Sequence, residues 1–428
     1  MPRQLLRSFF AALVLSACAQ VPEVCETCSD PWESSGKNAL FERPAGESYD
    51  RYAAFKRRIL EDAKYFPPWV DETQHGSLID RVAPRRWTPE AADCEGQVGK
   101  RGIVLVHGLF DTPFIMRDLA RHFAARCLTV YEVLLTGHGT RPGDLLSVTR
   151  AAWTREVAQV VDAAAREVPE LYVAGFSLGG ALSIQIASGH ERLRAALVFA
   201  PALKPTNALA YGSIVFDSLG ARYFKVFEEF DYAKYESLSH NAGAETYRLG
   251  REVKEILDRG LGKPLFVAVS LEDDTIDARY TVETAGQAPL EPGSRVLVFA
   301  AEPDDAAPLC RRYRERQSAG SCRVVPSADL SKGIESLSHI GLVVAPGNDH
   351  YGAAGDYRNC LYSTSRKRLC LVSEITEETC KTRLICYGEA IRATRDPVIR
   401  RITFNPFFPE LTGAIDDFLD ELEGRADG

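Results

Sequence analysis

Gly175-Phe176-Ser177-Leu178-Gly179-Gly180 is the stretch whose residue types most clearly could do chemistry. It reads Gly-x-Ser-x-Gly and lies between an apolar run, Leu171-Tyr172-Val173-Ala174, and a segment of helical character beginning near Leu178. A serine hydroxyl is a weak nucleophile until a neighbouring base activates it. Flanking glycines leave room for a sharp strand-to-helix turn that holds the hydroxyl above the end of a strand. The helix start then points N–H groups, and the positive end of its dipole, at negative charge developing on a substrate oxygen. A glycine-rich turn whose serine merely caps the helix is the plainer alternative. A second chemical feature is Val106-His107-Gly108-Leu109-Phe110, directly after another short apolar run. Acyl transfer builds an oxyanion, and two backbone donors set in advance stabilise it with little reorganisation. The expected donors of that kind are the N–H groups of Leu109 and Leu178, with His107 shaping the loop rather than acting as a base.

These features need strands to carry them. Ile103-Val104-Leu105-Val106 is apolar throughout, as a strand covered on both faces must be. The pattern then predicts a helix over 114–125, a strand near 129–135, a helix over about 147–167, the strand at 171–174, a helix from 178 and a strand at 196–200. Residues 203–262 are aromatic and mostly helical in character, and strands resume at 265–269 and 296–299. Such alternation implies an α/β fold with a mostly parallel, doubly wound sheet. A helix at about 409–422, with Leu411, Ile415, Phe418, Leu419 and Leu422 on one face, closes it.

Taken in order, His107-Gly108, Gly137-His138-Gly139 and the Gly175–Gly180 turn make residues 102 to about 202 resemble bacterial carboxylesterases and monoacylglycerol-lipase-like members of the α/β-hydrolase family. The resemblance implies the α/β-hydrolase fold, hydrolysis of carboxylic esters without metal, nucleotide or flavin, and a triad ordered serine, acid, histidine. The acid belongs just after a late strand, within Ser270-Leu271-Glu272-Asp273-Asp274-Thr275-Ile276-Asp277. Matching Ile276 and Asp277 to the family's aliphatic and helix-capping positions selects Asp273, with Asp274 as the alternative. For the base, His339 in Ser336-Leu337-Ser338-His339-Ile340-Gly341-Leu342 resembles the family's Ser-x-His loop. The other candidate is His350, in the polar turn Asn348-Asp349-His350-Tyr351-Gly352, where it could simply be exposed. The interval from Asp273 to His339 exceeds the family's usual one and holds a strand and a charged helix. His138 reads as architectural. In this family residues 203–262 would form a helical cap, whose Tyr211, Phe216, Tyr223, Phe224, Phe227, Phe230, Tyr232 and Tyr235 either line an acyl pocket or pack on one another.

Arg3, Arg7 and the apolar Phe9–Leu15 form an export signal too short to span a bilayer. It ends in Leu15-Ser16-Ala17-Cys18, which resembles the bacterial lipobox; an ordinary signal with a chance cysteine is the alternative. The resemblance implies lipid attachment at Cys18 and, with Ala19 following, a place on the outer membrane of the cell envelope, facing the periplasm. Ten further cysteines in an exported chain fit disulfides, and pairing of sequence neighbours, such as Cys310 with Cys322, is the simplest connectivity. Cys25-x-x-Cys28 has no second pair or nearby histidine to complete a zinc site. The expected organisation is a signal peptide (1–17), a polar tether (18–45), an N-terminal extension packed on the core (46–99), the hydrolase core (100–345), a Cys-rich insertion (346–404) and the C-terminal helix of the core (405–428). A formal charge of −8 offers no basic footprint for nucleic acid. The reading is a serine carboxylic ester hydrolase acting on a small-molecule or lipid ester. Its competitors are a thioesterase, amidase or acyltransferase with the same triad, and a catalytically silent envelope lipoprotein that binds a partner. Oligomeric state is not written in these residues.

Overall fold

The computed structural model describes residues 30–38, 47–67, 70–206, 208–317, 319–355, 357, 385–389 and 398–426. The expected signal peptide with Cys18, and Cys25, Cys28, Trp69, Cys360, Cys370 and Cys380, lie outside these residues. The chain forms strands β1 (Arg86–Trp87), β2 (Arg101–Val106), β3 (Leu128–Val133), β4 (Glu170–Phe176), β5 (Leu193–Phe199), β6 (Tyr223–Lys225), β7 (Leu238–Ser239), β8 (Leu265–Ser270), β9 (Arg295–Ala300) and β10 (Ser321–Pro326). Eight of them make one sheet in the order β1-β3-β2-β4-β5-β8-β9-β10. β1 is antiparallel to β3, and the other neighbours run parallel.

Because successive side chains of a strand point to opposite faces, apolar runs must be buried twice. Val104 and Val106 of β2 enter one apolar cluster, and Ile103 and Leu105 enter the other. The first cluster is covered by α4 (Arg150–Glu167) through Trp153, Val157, Val160 and Val161, and by α5 (Leu178–Gly189). The second is covered by α3 (Arg117–Ala125) through Leu119 and Phe123, and by α10 (Phe408–Ala426) through Ile415, Phe418 and Leu419.

The cap is smaller than 203–262. Helix α7 (His240–Arg259) puts Ala242, Leu249, Val253 and Leu257 into the same cluster as α4 and α5, so it is a layer helix of the core. The excursion above the sheet is left with α6 (Ala208–Ser218) and the β6–β7 hairpin. Among its described rings, Phe216, Phe224 and Phe230 are exposed, as are Val215, Leu219 and Val226, whereas Tyr235 is buried.

The long interval before His339 also has a structural cause. After α8 (Ala278–Gln287), capped by the Asp277 side chain as expected, come β9, α9 (Pro303–Arg316) and β10. The α9–β10 unit adds a parallel edge strand, and the Cys310–Cys322 disulfide ties that helix to its strand. A second disulfide, Cys94–Cys127, pins the approach to β2 against the start of β3 and, like Cys310–Cys322, joins cysteines that are neighbours in the sequence, as expected.

Upstream, α1 (Tyr49–Ala63) lies on the sheet. The Tyr49 and Tyr52 hydroxyls donate to the Glu132 and Leu134 carbonyls, and Lys56 forms a buried ion pair with Glu156. Glu156 also accepts from the Thr136 N–H at 2.5 Å and its hydroxyl at 3.0 Å, which satisfies a carboxylate that burial would otherwise penalise heavily. Helix α2 (His75–Val82) follows and buries Ile79 and Val82. Residues 30–38, expected to belong to a free tether, are instead clasped onto the fold. Trp32 Nε1 donates to Ser237 Oγ at 3.1 Å, Arg222 pairs with Glu33, and Ser34 and Ser35 donate to Asp144. Asn38 donates to the His138 carbonyl and to Thr140 Oγ1.

Candidate active site

β2 has β3 on one side and β4 on the other, so the loops leaving β2 and β4 turn away from each other at the carboxyl ends of the strands. A crevice opens at such a point, where open α/β sheets bind ligands. Both chemical motifs of the sequence emerge here, with Val106 of β2 opposite Gly175 of β4.

The turn after β4 is as tight as an exposed nucleophile requires. Ser177 has φ 54° and ψ −115°, a conformation costly for a residue with a Cβ. It is held by its N–H donating to the Phe199 carbonyl and by its own carbonyl accepting from Ala202, each at 2.9 Å. A Cβ on Gly175 would lie 2.1 Å from the Gly179 carbonyl oxygen, and one on Gly179 would lie 2.0 Å from that of Val106. Only glycine fits at both. The Ser177 hydroxyl makes no hydrogen bond among the described residues.

Neither the Leu109 nor the Leu178 N–H is taken by another group among the described residues, so both remain available as donors. His107 builds the loop that carries Leu109. Its Nδ1 lies 2.8 Å from the Gly108 carbonyl and its Nε2 accepts from the Leu135 N–H at 3.1 Å. Burial lowers its pKa to about 4, so it stays neutral and keeps both bonds. His138 packs edge-on against that ring and is likewise held neutral by burial. The far side of the loop rests on the chain returning from the cap: Tyr235 N–H donates to the Phe110 carbonyl at 2.8 Å, and Thr112 Oγ1 to the Ala233 carbonyl at 2.7 Å.

Asp273 and His339, 66 residues apart, meet through an Nδ1–Oδ2 contact of 2.5 Å. The other carboxylate oxygen of Asp273 accepts from the Thr275 and Ile276 N–H groups at 2.8 Å each, which fixes its direction. Burial opposes a charge on His339, but the Asp273 carboxylate more than offsets it, and the imidazole pKa lies above its ordinary value. The His339 ring packs against Phe176, centroids 4.8 Å apart, immediately before Ser177. Asp274 faces Arg401 at 3.3 Å instead.

Two residues at this site carried no signal in the sequence. Glu389, after β11 (Ile385–Gly388), accepts from the His339 N–H at 2.9 Å, and Arg401, at the end of β12 (Val398–Arg401), pairs with Glu389 at 2.9 Å. Both are buried, and burial pushes the Glu389 carboxyl up to about 7. Carboxylate oxygens of Asp273, Asp274 and Glu389 fall within 4.8 Å of one another, as metal ligands can. Arg401 and His339 already engage all three, which leaves little for a cation to do.

His350 is not an exposed turn residue. It is buried, and its Nε2 meets Asp231 at 2.9 Å, while Asp231 also accepts from the Tyr351 hydroxyl at 2.6 Å. That pairing binds the segment after His339 to the loop between β6 and β7.

The model of the alpha/beta hydrolase family matches residues 103–353, and the chain belongs to that family. The thermostable monoacylglycerol lipase of Bacillus sp. (strain H-257) is 35% identical over 92 residues, which are 22% of this chain and 37% of that protein. The chain therefore spans little more than a third of the length of the curated relative it matches. Among solved structures, one from work on the metagenome-derived lipolytic enzymes LipS and LipT is similar, with 21% identity, a TM-score of 0.43, and coverage of 55% of this chain and 97% of the other. The monoacylglycerol lipase of Paleococcus ferrophilus shows 15% identity and a TM-score of 0.42, covering 51% and 88%.

Proposed function

We propose that this protein is a serine carboxylic ester hydrolase in which Ser177, His339 and Asp273 act as nucleophile, general base and orienting acid. His339 takes the Ser177 proton as the hydroxyl attacks the ester carbonyl, then returns it to the leaving alkoxide. The Leu109 and Leu178 N–H groups hold the oxyanion, and water resolves the acyl-enzyme. The observation that carries this reading is the convergence of a strained serine turn and a buried Asp–His pair on one crevice. The local identity to a monoacylglycerol lipase supports an acyl ester as substrate. The apolar cap surface at Val215, Phe216, Leu219 and Phe224 suits an ester that partitions into lipid. Intact-mass analysis after treatment with a fluorophosphonate should show one adduct on the wild type and none on Ser177→Ala. An adduct retained by the variant would remove Ser177 from the role, and comparison of ester, thioester and amide turnover in the wild type fixes the reaction class.

The same proposal includes attachment to the cell envelope through acylated Cys18, which rests on the lipobox-like Leu15-Ser16-Ala17-Cys18. Expressed in a bacterium, the full chain should partition into the detergent phase and take up labelled palmitate, and Cys18→Ser should do neither. Equal partitioning of the two would leave only a cleaved or uncleaved export signal.

A further inference from the structure

Asp111 lies in the loop that carries Leu109, two residues beyond it, and the proposed mechanism gives it no task. It is 6% exposed and has neither a hydrogen bond nor an ion pair among the described residues. Nearby buried acids are all matched. Asp231 has His350 and Tyr351, Glu236 has Tyr357, Glu229 has the N–H groups of Glu236 and Ser237, and Asp144 has Ser34, Ser35 and Thr140. A carboxyl withdrawn from bulk water without a partner is costly, and native structures keep such groups for a reason. Neither oxygen is wholly sealed by the fold, so a small group can still reach the carboxyl.

The direction of the side chain follows from its neighbours. The Asp111 N–H turns back to the Gly108 carbonyl, and a Cβ on Gly108 would lie 2.5 Å from Asp111 Oδ2 and 3.0 Å from the Phe176 ring. The carboxyl therefore folds over the glycine beside Leu109, next to the ring that packs on His339. Burial raises its pKa to about 7, with Lys234 and His339 acting in the opposite sense. A negative charge there would oppose the oxyanion that the adjacent N–H groups are set to receive. The neutral carboxyl that burial favours avoids the conflict, and a substrate hydroxyl can pair with it in either protonation state. An ammonium group would need the ionised form that burial disfavours.

We propose that Asp111 is a specificity-determining residue that hydrogen-bonds a hydroxyl carried by the substrate close to the scissile ester, so that the site favours hydroxylated esters over plain alkyl esters. This rests on the ester-hydrolase reading above. The test compares kcat/KM of the full-length protein for glyceryl monobutyrate, ethyl 3-hydroxybutyrate and ethyl butyrate, in wild type, Asp111→Ala and Asp111→Asn. The wild type should prefer one hydroxylated ester to ethyl butyrate by more than about tenfold, as a hydrogen bond to a carboxyl implies. That preference should shrink about 10- to 100-fold in Asp111→Ala and less in Asp111→Asn, whose amide oxygen still accepts. The ester showing the larger Asp111-dependent change places the hydroxyl on the alcohol or on the acyl side. A wild type without preference overturns the proposal, and so does a ratio unaltered in the variants, whatever happens to absolute rates. If the ester-hydrolase reading itself is wrong, the wild type fails to form a fluorophosphonate adduct at Ser177, and the Asp111 proposal falls with it.

Discussion

Ser177→Ala should fold normally and lose ester turnover by about a million-fold in kcat, the scale seen when the nucleophile of such a unit is removed. Nothing in the backbone geometry depends on the hydroxyl. The turn is held by the Ser177 N–H and carbonyl, by Gly175 and by Gly179, all of which the variant keeps. Residual activity above the uncatalysed rate would come from the Leu109 and Leu178 N–H groups, which in the proposed mechanism bind an oxyanion whether or not an acyl-enzyme forms. A companion variant separates strain from chemistry. Ser177→Gly should be equally inactive but melt higher than Ser177→Ala, by about 1 kcal/mol of stability, because φ 54° with ψ −115° suits glycine and penalises any Cβ. A Ser177→Ala protein that retains more than about a thousandth of wild-type turnover would mean that another group attacks the ester.

Asp273→Asn should lower kcat by about ten-thousand-fold with little change in fold. The asparagine oxygen can still accept from Thr275 and Ile276, so the loop keeps its shape. What changes is the face toward His339: an amide cannot stabilise the imidazolium as a carboxylate does, and its N–H favours the wrong tautomer. The pH profile supplies a second reading with a definite sign. His339 must be neutral to take a proton, and Asp273 raises its pKa above the ordinary 6.5 despite burial. Activity of the wild type should therefore climb with pH through a limb above about 6.5. In Asp273→Asn burial acts without the carboxylate, and the limb should move to lower pH. A limb unmoved by the substitution would show that some other group sets it.

The parts of the site legible in the sequence are those that local geometry dictates. Ser177 between glycines, after an apolar run, describes its own turn, and Asp277 as a helix cap fixes the frame that separates Asp273 from Asp274. His339 was legible from its Ser-x-His loop even though α9 and β10 lengthen the path to it, because an added edge strand leaves the loop at the same end of the sheet. What could not be read depends on contacts between distant segments. Glu389 and Arg401 reach His339 from a short strand pair far along the chain, and His350 is buried by Asp231, 119 residues away. The 203–262 segment misled for another reason. α7 carries an apolar stripe like any amphipathic helix, and a stripe does not say whether it will face a cap or a sheet.

The clasp formed by residues 30–38 sets a practical boundary for anyone preparing a shortened form. Cutting at Tyr49, where the first helix of the described residues begins, would strip Asp144 of its bonds to Ser34 and Ser35 and leave it Thr140 as a donor in a place where water barely reaches. Arg222 and Tyr223 of the hairpin would lose Trp32 at the same stroke. A shortened protein that is meant to report on the native fold should keep everything from Asp30 onward, and any leader should be joined ahead of that aspartate.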